Sequence, residues 1–332
     1  MAKKIIIEPV VVDESPLTTV SILGRGSFGS VSLTTDSKHQ LYAKKSSSFK
    51  HMKNLEKELR IMLRFRNDPR ILQAASPHLY IGLDVSYILM EFSSIGTLHK
   101  IISRFGGKPL PENIIGRSTR MILQGLQLLH SCGYVHCDLK PDNILLFPST
   151  AFGEPWDLKL ADFGLSKEPN TDSTLSFPGA ACYMPPESVG PHGVIGPALD
   201  IWSLGCVVFE MFGGVPVKMG DSYVWRLFQD ISPVAIDFLR RCHTWHPSRR
   251  ACAAELLNHP FITQRASVPL PTRSQQEDYR PFITQRVSVP LPTRSQQEDY
   301  RPFITQRVSV PLQPTRQQED WPTIPRLPGS IW

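Results

Sequence analysis

The chain has 332 residues, 41% of them apolar, and a formal net charge of +6 at pH 7, which is enough for about two domains and a sizeable buried core. No cluster of Lys and Arg alternates with aromatics, so nucleic acid is not the expected partner, and no apolar run approaches the ~18 residues of a membrane span. The six cysteines, at 132, 137, 182, 206, 242 and 252, have no paired spacing, which predicts a reduced, intracellular protein.

Residues 1–17 read as an N-terminal extension: Lys3 and Lys4 precede Ile5, Ile6 and Ile7, but Glu8 and Pro9 end the run too soon for a secretory signal. Residues 18–92 read as strands with one helix. Apolar runs at 18–23, 31–35, 41–45 and 87–92 predict strands, and 53–65 carries Leu55, Leu59, Met62 and Leu63 at helical spacing. From Thr97 onward helices dominate. Ile115, Met121, Ile122, Leu126 and Leu129 mark a helix over 114–132, and 200–212 is apolar almost all round, as a fully buried helix is. Cys242, His243, His246 and Cys252 lie close together, but no Cys-x-x-Cys accompanies them and four neighbouring arginines (240, 241, 249, 250) would repel a cation; an ordinary helix and loop is the expectation. Residues 263–332 differ from the rest. Pro-Phe-Ile-Thr-Gln-Arg begins at 260, 281 and 302, each copy opening a proline-rich unit of 21 residues, the third with Gln313 added and a serine lost. Such units carry too few large apolar residues to stack as a solenoid, so a disordered tail is expected, and its first copy begins inside the end of the globular part.

Four constellations carry chemistry. Gly24, Gly26 and Gly29 lie between two strands, where glycines let a backbone approach phosphate oxygens; a dinucleotide fold would need a helix after them, and Val31 begins a strand instead. Ala43 and Lys45 share one face of the next strand, with Lys44 on the other. A lysine in this place needs a carboxylate partner; the following helix offers Glu56 and Glu58, of which Glu58 lies nearer the apolar face. Asp138, Lys140 and Asn143 form the third cluster and Asp162-Phe163-Gly164 the fourth. Asn143 and Asp162 together offer two oxygen ligands, a set that suits magnesium beside phosphates.

In this order the motifs resemble those of eukaryotic protein kinases: Gly-x-Gly-x-x-Gly-x-Val, Ala-x-Lys, a helical Glu, His-x-Asp-Leu-Lys-Pro-x-Asn, Asp-Phe-Gly, Pro-Pro-Glu and Asp-Ile-Trp-Ser-Leu-Gly, over residues 18–262. Met-Glu-Phe, Tyr-Met-Pro-Pro-Glu-Ser-Val and Leu-Leu-Asn-His-Pro-Phe are similar to the plant MAP kinase kinase kinases of the MEKK-like group. The resemblance implies an α+β, bilobal fold, with a small antiparallel sheet lobe over 18–92 and a larger helical lobe over 93–262. It implies ATP and Mg2+ as cofactors, a MAP kinase kinase as protein substrate, a monomer or transient complexes, and a cytoplasmic place of action, nuclear as well. By position, Gly24, Gly26, Gly29 and Val31 would cover ATP, and Ala43 would lie under its base. Lys45, held by Glu58, would contact the phosphates. Met90 would be the gatekeeper, with the backbone of Glu91 and Ser93 at adenine. Asp138 would accept the substrate proton, Lys140 would neutralise the transferring group, and Asn143 and Asp162 would hold magnesium. Asp200 would brace the catalytic loop, and Glu187 would pair with Arg250.

Three departures from the family pattern keep a second reading open, a pseudokinase-like scaffold that holds nucleotide but transfers poorly, and beyond it a drifting gene copy. Cys137 stands where most kinases have the arginine that clamps a phosphate on the activation segment, so Ser173, Thr174 and Ser176 are expected to be poor on-switches. Ala180 replaces the hydroxyl residue that bridges the catalytic Asp and Lys, which would leave both less well held. Asp230 also runs almost directly into Ser232 and Pro233, where relatives have an extra loop beneath a substrate-docking helix.

Overall fold

In the computed structural model the described residues are 5–12, 17–26, 28–149, 156–170, 179–188, 195–219, 222–226 and 231–266. The small lobe is a six-stranded sheet of β1 (Pro9–Val11), β2 (Thr18–Gly26), β3 (Gly29–Thr35), β4 (Leu41–Ser47), β5 (Leu79–Ile81) and β6 (Ser86–Glu91), in the order β1-β5-β6-β4-β3-β2. Neighbours pair antiparallel except β1, which lies parallel on β5. That strand comes from the expected extension. Three residues are too few to show an alternation, and Pro9 stands first in the strand, where its missing N–H costs least.

Helix α1 (Met52–Arg64) packs one face on this sheet, burying Leu55, Glu58, Leu59, Ile61 and Met62. A carboxylate on the buried stripe is the anomaly that points to a site. The chain then crosses to the large lobe through β7 (Gly96–Thr97) and α2 (Leu98–Arg104), whose N-terminus Thr97 caps by accepting from the Lys100 N–H.

Helix α3 (Glu112–Ser131) is the long axis of the large lobe, with α4 (Pro197–Met211), α6 (Ala253–Leu257) and α7 (Pro260–Ala266) packed on it. Twelve of the fifteen residues of α4 are buried, the pattern expected of its apolar sequence. Strands β8 (Ile144–Phe147) and β9 (Asp157–Leu160) join β7 in a small sheet at the lobe boundary. One apolar core runs through both lobes, from Ala43 and Leu59 to Phe238 and Phe261.

Between α4 and α5 (Pro233–Cys242) the described residues form an antiparallel hairpin, β10 (Val215–Met219) and β11 (Ser222–Arg226). This is the region that the sequence marks as shortened. Asp230, the activation-segment residues 173, 174 and 176, and the repeat tail beyond Ala266 lie outside the described residues.

Cys242 and His243 need no metal to explain them. Both are buried, the imidazole wedged between Trp202 and Phe209 at 4.8 and 5.3 Å, while Cys252 caps α6.

Candidate active site

The glycine hairpin sets the roof of the interlobe cleft. Gly24 pairs with Val31 and Gly26 with Gly29 across β2 and β3. A side chain added at Gly24 or Gly26 would meet nothing within 4 Å, so the backbone there is open to a ligand. Gly29 is needed for another reason: at φ +150° an added Cβ would fall 1.9 Å from the Ser46 carbonyl oxygen of β4.

In register, Val31 faces Lys45 and Ala43 faces Met90. Ala43 and Met90 are buried. Lys44 projects to the other face and lies over the Tyr87 ring at 4.1 Å. Lys45 points into the cleft, where its Nζ donates to Glu58 Oε2 at 2.6 Å and to Asp162 Oδ1 at 2.8 Å. Of the two candidate partners, Glu58 reaches the lysine, while Glu56 pairs with Arg60 one turn on. Burial pushes the Glu58 carboxyl up to about 7, against the pull of the Lys45 ammonium. The two carboxylates outweigh the burial of Lys45 and hold its ammonium above its usual range. The same ammonium keeps Asp162 below the usual carboxylate range despite its own burial.

The lower wall is built from the segment after α3. Asp138, 8% exposed, accepts at Oδ2 from Lys140 Nζ at 2.7 Å and from Asn143 Nδ2 at 2.9 Å. Its Oδ1 lies against the Gly179 backbone and takes no hydrogen bond among the described residues. Asn143 also donates to the Asp138 carbonyl, and its own carbonyl accepts from the Ala161 N–H, which ties this wall to the residue before Asp162. Asp162 itself sits in the left-handed region at φ +63°, which turns its carboxylate toward Lys45.

Beneath lies Asp200, fully buried. Its carboxylate accepts from the backbone N–H of His136 (2.8 Å) and Cys137 (2.9 Å) and pairs with His130 at 2.8 Å. Arg250 grips Glu187 through both guanidinium arms at 2.7 and 3.0 Å and lies over the Trp202 ring. Motif position anticipates both of these contacts.

Two of the departures bear on this site. Asp138 and Lys140 pair directly at 2.7 Å with Ala180 in place of the hydroxyl residue. The segment's backbone comes close beside them: at Gly179, φ +114°, an added Cβ would lie 2.7 Å from the Cys137 carbonyl oxygen. Cys137 is buried, and its thiol is pushed up to about 12, chiefly by burial, so it is a packing residue and not a nucleophile.

Elsewhere, Glu91 uses its carboxylate to bind Lys159 and its N–H to reach the Gln73 carbonyl. Ser93 turns its hydroxyl to the carbonyls of Gly96 and Leu146. Neither side chain is then free for a base, so the contact expected at adenine falls to their backbone. Sequence reasoning missed His136, whose buried ring contacts the Ala161 carbonyl and packs on Phe163; its place two residues before Asp138 was the available signal. It also missed the Arg60–Glu168 pair, which joins α1 to the segment after Asp162 and has no local signature.

The donor set fits magnesium. Asn143 spends its NH2 on Asp138, leaving Oδ1 as acceptor, and the Asp162 carboxylate stays ionised with its side chain 42% exposed. One amide and one carboxylate oxygen fall short of a closed protein cage, as suits a hard ion that keeps waters and phosphate ligands.

A family model described as protein kinase domain matches residues 17–262. Among curated proteins, the chain is 32% identical to "Mitogen-activated protein kinase kinase kinase 20" of Arabidopsis thaliana over 268 residues, 73% of this chain and 76% of that one. It is 34% identical to "Mitogen-activated protein kinase kinase kinase 3" of the same organism (75% and 43% of the two chains) and 34% identical to "Mitogen-activated protein kinase kinase kinase YODA" (73% and 28%). The chain thus spans three quarters of the first relative and less than half of the other two.

Proposed function

The chain belongs to the protein kinase family, and from that premise we propose that it is an ATP-dependent serine/threonine kinase working as a MAP kinase kinase kinase on a MAP kinase kinase. The observation that carries this is the convergence of Lys45 and Glu58 from the small lobe with Asp138, Lys140, Asn143 and Asp162 from the large lobe, joined by the Lys45–Asp162 ion pair and, below it, by the Ala161–Asn143 backbone bond. The relatives' names supply the substrate class, which remains part of the proposal, as do action as a monomer or in transient complexes and a cytoplasmic and nuclear location.

ATP, when bound, would supply the phosphoryl group, and Asn143 and Asp162 would hold the magnesium that offsets its charge. The chain's own residues position and neutralise. Lys45 is held against Glu58, ready for an anionic ligand. Asp138 has Oδ2 occupied by two donors, so Oδ1 is the oxygen that orients a substrate hydroxyl and takes its proton. Lys140, tied to the same carboxylate, would neutralise the negative charge that gathers as the bond to phosphorus forms.

The test is transfer of radiolabel from ATP to a generic acceptor and to MAP kinase kinases, with Lys45→Met as control. The expected outcome is label on a MAP kinase kinase hydroxyl that the control lacks. Equal labelling by parent and control, or a thermal midpoint unmoved by ATP with magnesium, would overturn the proposal.

A further inference from the structure

The end of the folded domain is also the start of the repeat. Phe261 is fully buried and Ile262 1% exposed, the Phe261 ring lying 5.0 Å from Phe238 and 6.3 Å from Phe212. Helix α7 thereby closes the large lobe against α3, α5 and α6. Its local bonds run to His259: the Phe261 N–H donates to the ring Nδ1, and the N–H groups of Ile262 and Thr263 donate to the His259 carbonyl.

We propose that the groove holding Phe261 and Ile262 is a docking site for the later copies of the same hexapeptide, Pro281–Arg286 and Pro302–Arg307, so that one chain carries three interchangeable closing segments. The groove meets the same side chains in the same order from each copy. Two of the three local hydrogen bonds use a backbone carbonyl, which any preceding residue provides. The residue before each later copy is arginine, Arg280 or Arg301, where the first copy has His259. His259 faces the carboxylate of Asp237 at 2.8 Å, which Arg241 also contacts at 3.0 Å. An arginine there still offers N–H donors to the Asp237 carboxylate and gives up the ring acceptor for the Phe261 amide.

Chain connectivity sets the ranking. Seating the second copy leaves 21 residues between His259 and Pro281 as a closed loop, a penalty of about a hundredfold in population, and the third copy costs somewhat more. The first copy therefore holds the groove in the intact chain. Damage to it is capped: once its docking is weakened by more than the loop penalty and the lost amide–imidazole bond together, several hundredfold, the second copy takes over.

Phe261→Asp, which buries a carboxylate, exceeds that threshold by a wide margin. It is compared in the full chain with Phe261→Asp/Phe282→Asp/Phe303→Asp by urea unfolding, hydrogen exchange and sedimentation. The single variant should stay folded with its folding constant reduced by no more than several hundredfold, and residues 281–286 should gain exchange protection as 260–266 lose it. The triple variant should lose far more. Equal unfolding of the two variants, failure of the single variant to fold, or protection of 281–286 only in a concentration-dependent dimer would each overturn the proposal.

Discussion

On the small-lobe side of the cleft Lys45 is held by two carboxylate side chains, whereas on the large-lobe side Asp138 sits in a loop whose backbone is pinned by a third, Asp200. The upper arrangement depends on where one helix, α1, stands relative to the sheet, because Glu58 is its contribution. The lower one depends on α4, buried on nearly every side and unable to move without opening the core. Side-chain ion pairs can be remade if α1 shifts; two backbone donors aimed at one buried carboxylate cannot. The upper wall is therefore the adjustable half of the site and the lower wall the fixed half. The Arg60–Glu168 pair, which links α1 to the segment after Asp162, is the strut that couples them.

The sharpest break in this comparison is Asp138→Asn. It keeps the shape and removes the proton acceptor, so transfer should fall by ~10²–10⁴-fold, about 3–5 kcal/mol of barrier, while ATP binding stays. Unchanged nucleotide affinity in a calorimeter beside lost turnover is the expected pair of readings. Asp200→Ala should act on folding instead. It strands two buried N–H groups and the His130 ring, at a cost of ~2–4 kcal/mol seen as a lower urea midpoint. Glu58→Gln should leave the urea midpoint nearly in place yet lower turnover by roughly ten- to a hundredfold, since Lys45 loses a charged partner.

Two pH dependences sharpen the contrast further. Glu58 is protonated below about 7, so its grip on Lys45 strengthens, and activity should rise, as pH climbs through that value; the limb should vanish in Glu58→Gln. The folded chain keeps that proton where the unfolded chain, with a value near 4.5, has released it. Glu58 therefore contributes less stability as pH rises from about 4.5 to about 7. His243 in the lower lobe has the opposite sign. Burial, with help from Arg250, drops its value from 6.5 to about 3. The unfolded chain binds the proton first, so its stability contribution is full above about 6.5 and is lost as pH falls toward 3, by at most ~1.4 kcal/mol per unit. Urea midpoints between pH 7 and 5, with His243→Gln beside the parent, measure it.

Much of the molecule was legible beforehand because its signals are local. Short apolar runs marked the strands, and period-3.6 spacing marked the helices around Leu59 and Leu126. A lone acid on the apolar face of 53–65 distinguished Glu58 from Glu56. The strand Pro9–Val11 was not legible, because its partner Leu79–Ile81 lies far along the chain and three residues show no period. Nor was the hairpin β10–β11, where the sequence showed only a shortened connection. At Cys137 the sequence showed the loss of an arginine, and only the structure shows the thiol buried.

The sequence by itself determined which residue types stand at which positions, and so the family, the order of its motifs and the acids, lysines and glycines available for chemistry. Tertiary structure alone decided which of them meet. Lys45 and Asp162 are 117 positions apart, and His136 and Asp200 are 64 apart; no local pattern encodes such distances. Burial and hydrogen-bond direction, which set the proton affinities of Glu58 and Cys137 and hold Asp138 without a bridging hydroxyl, exist only once the lobes have closed around them.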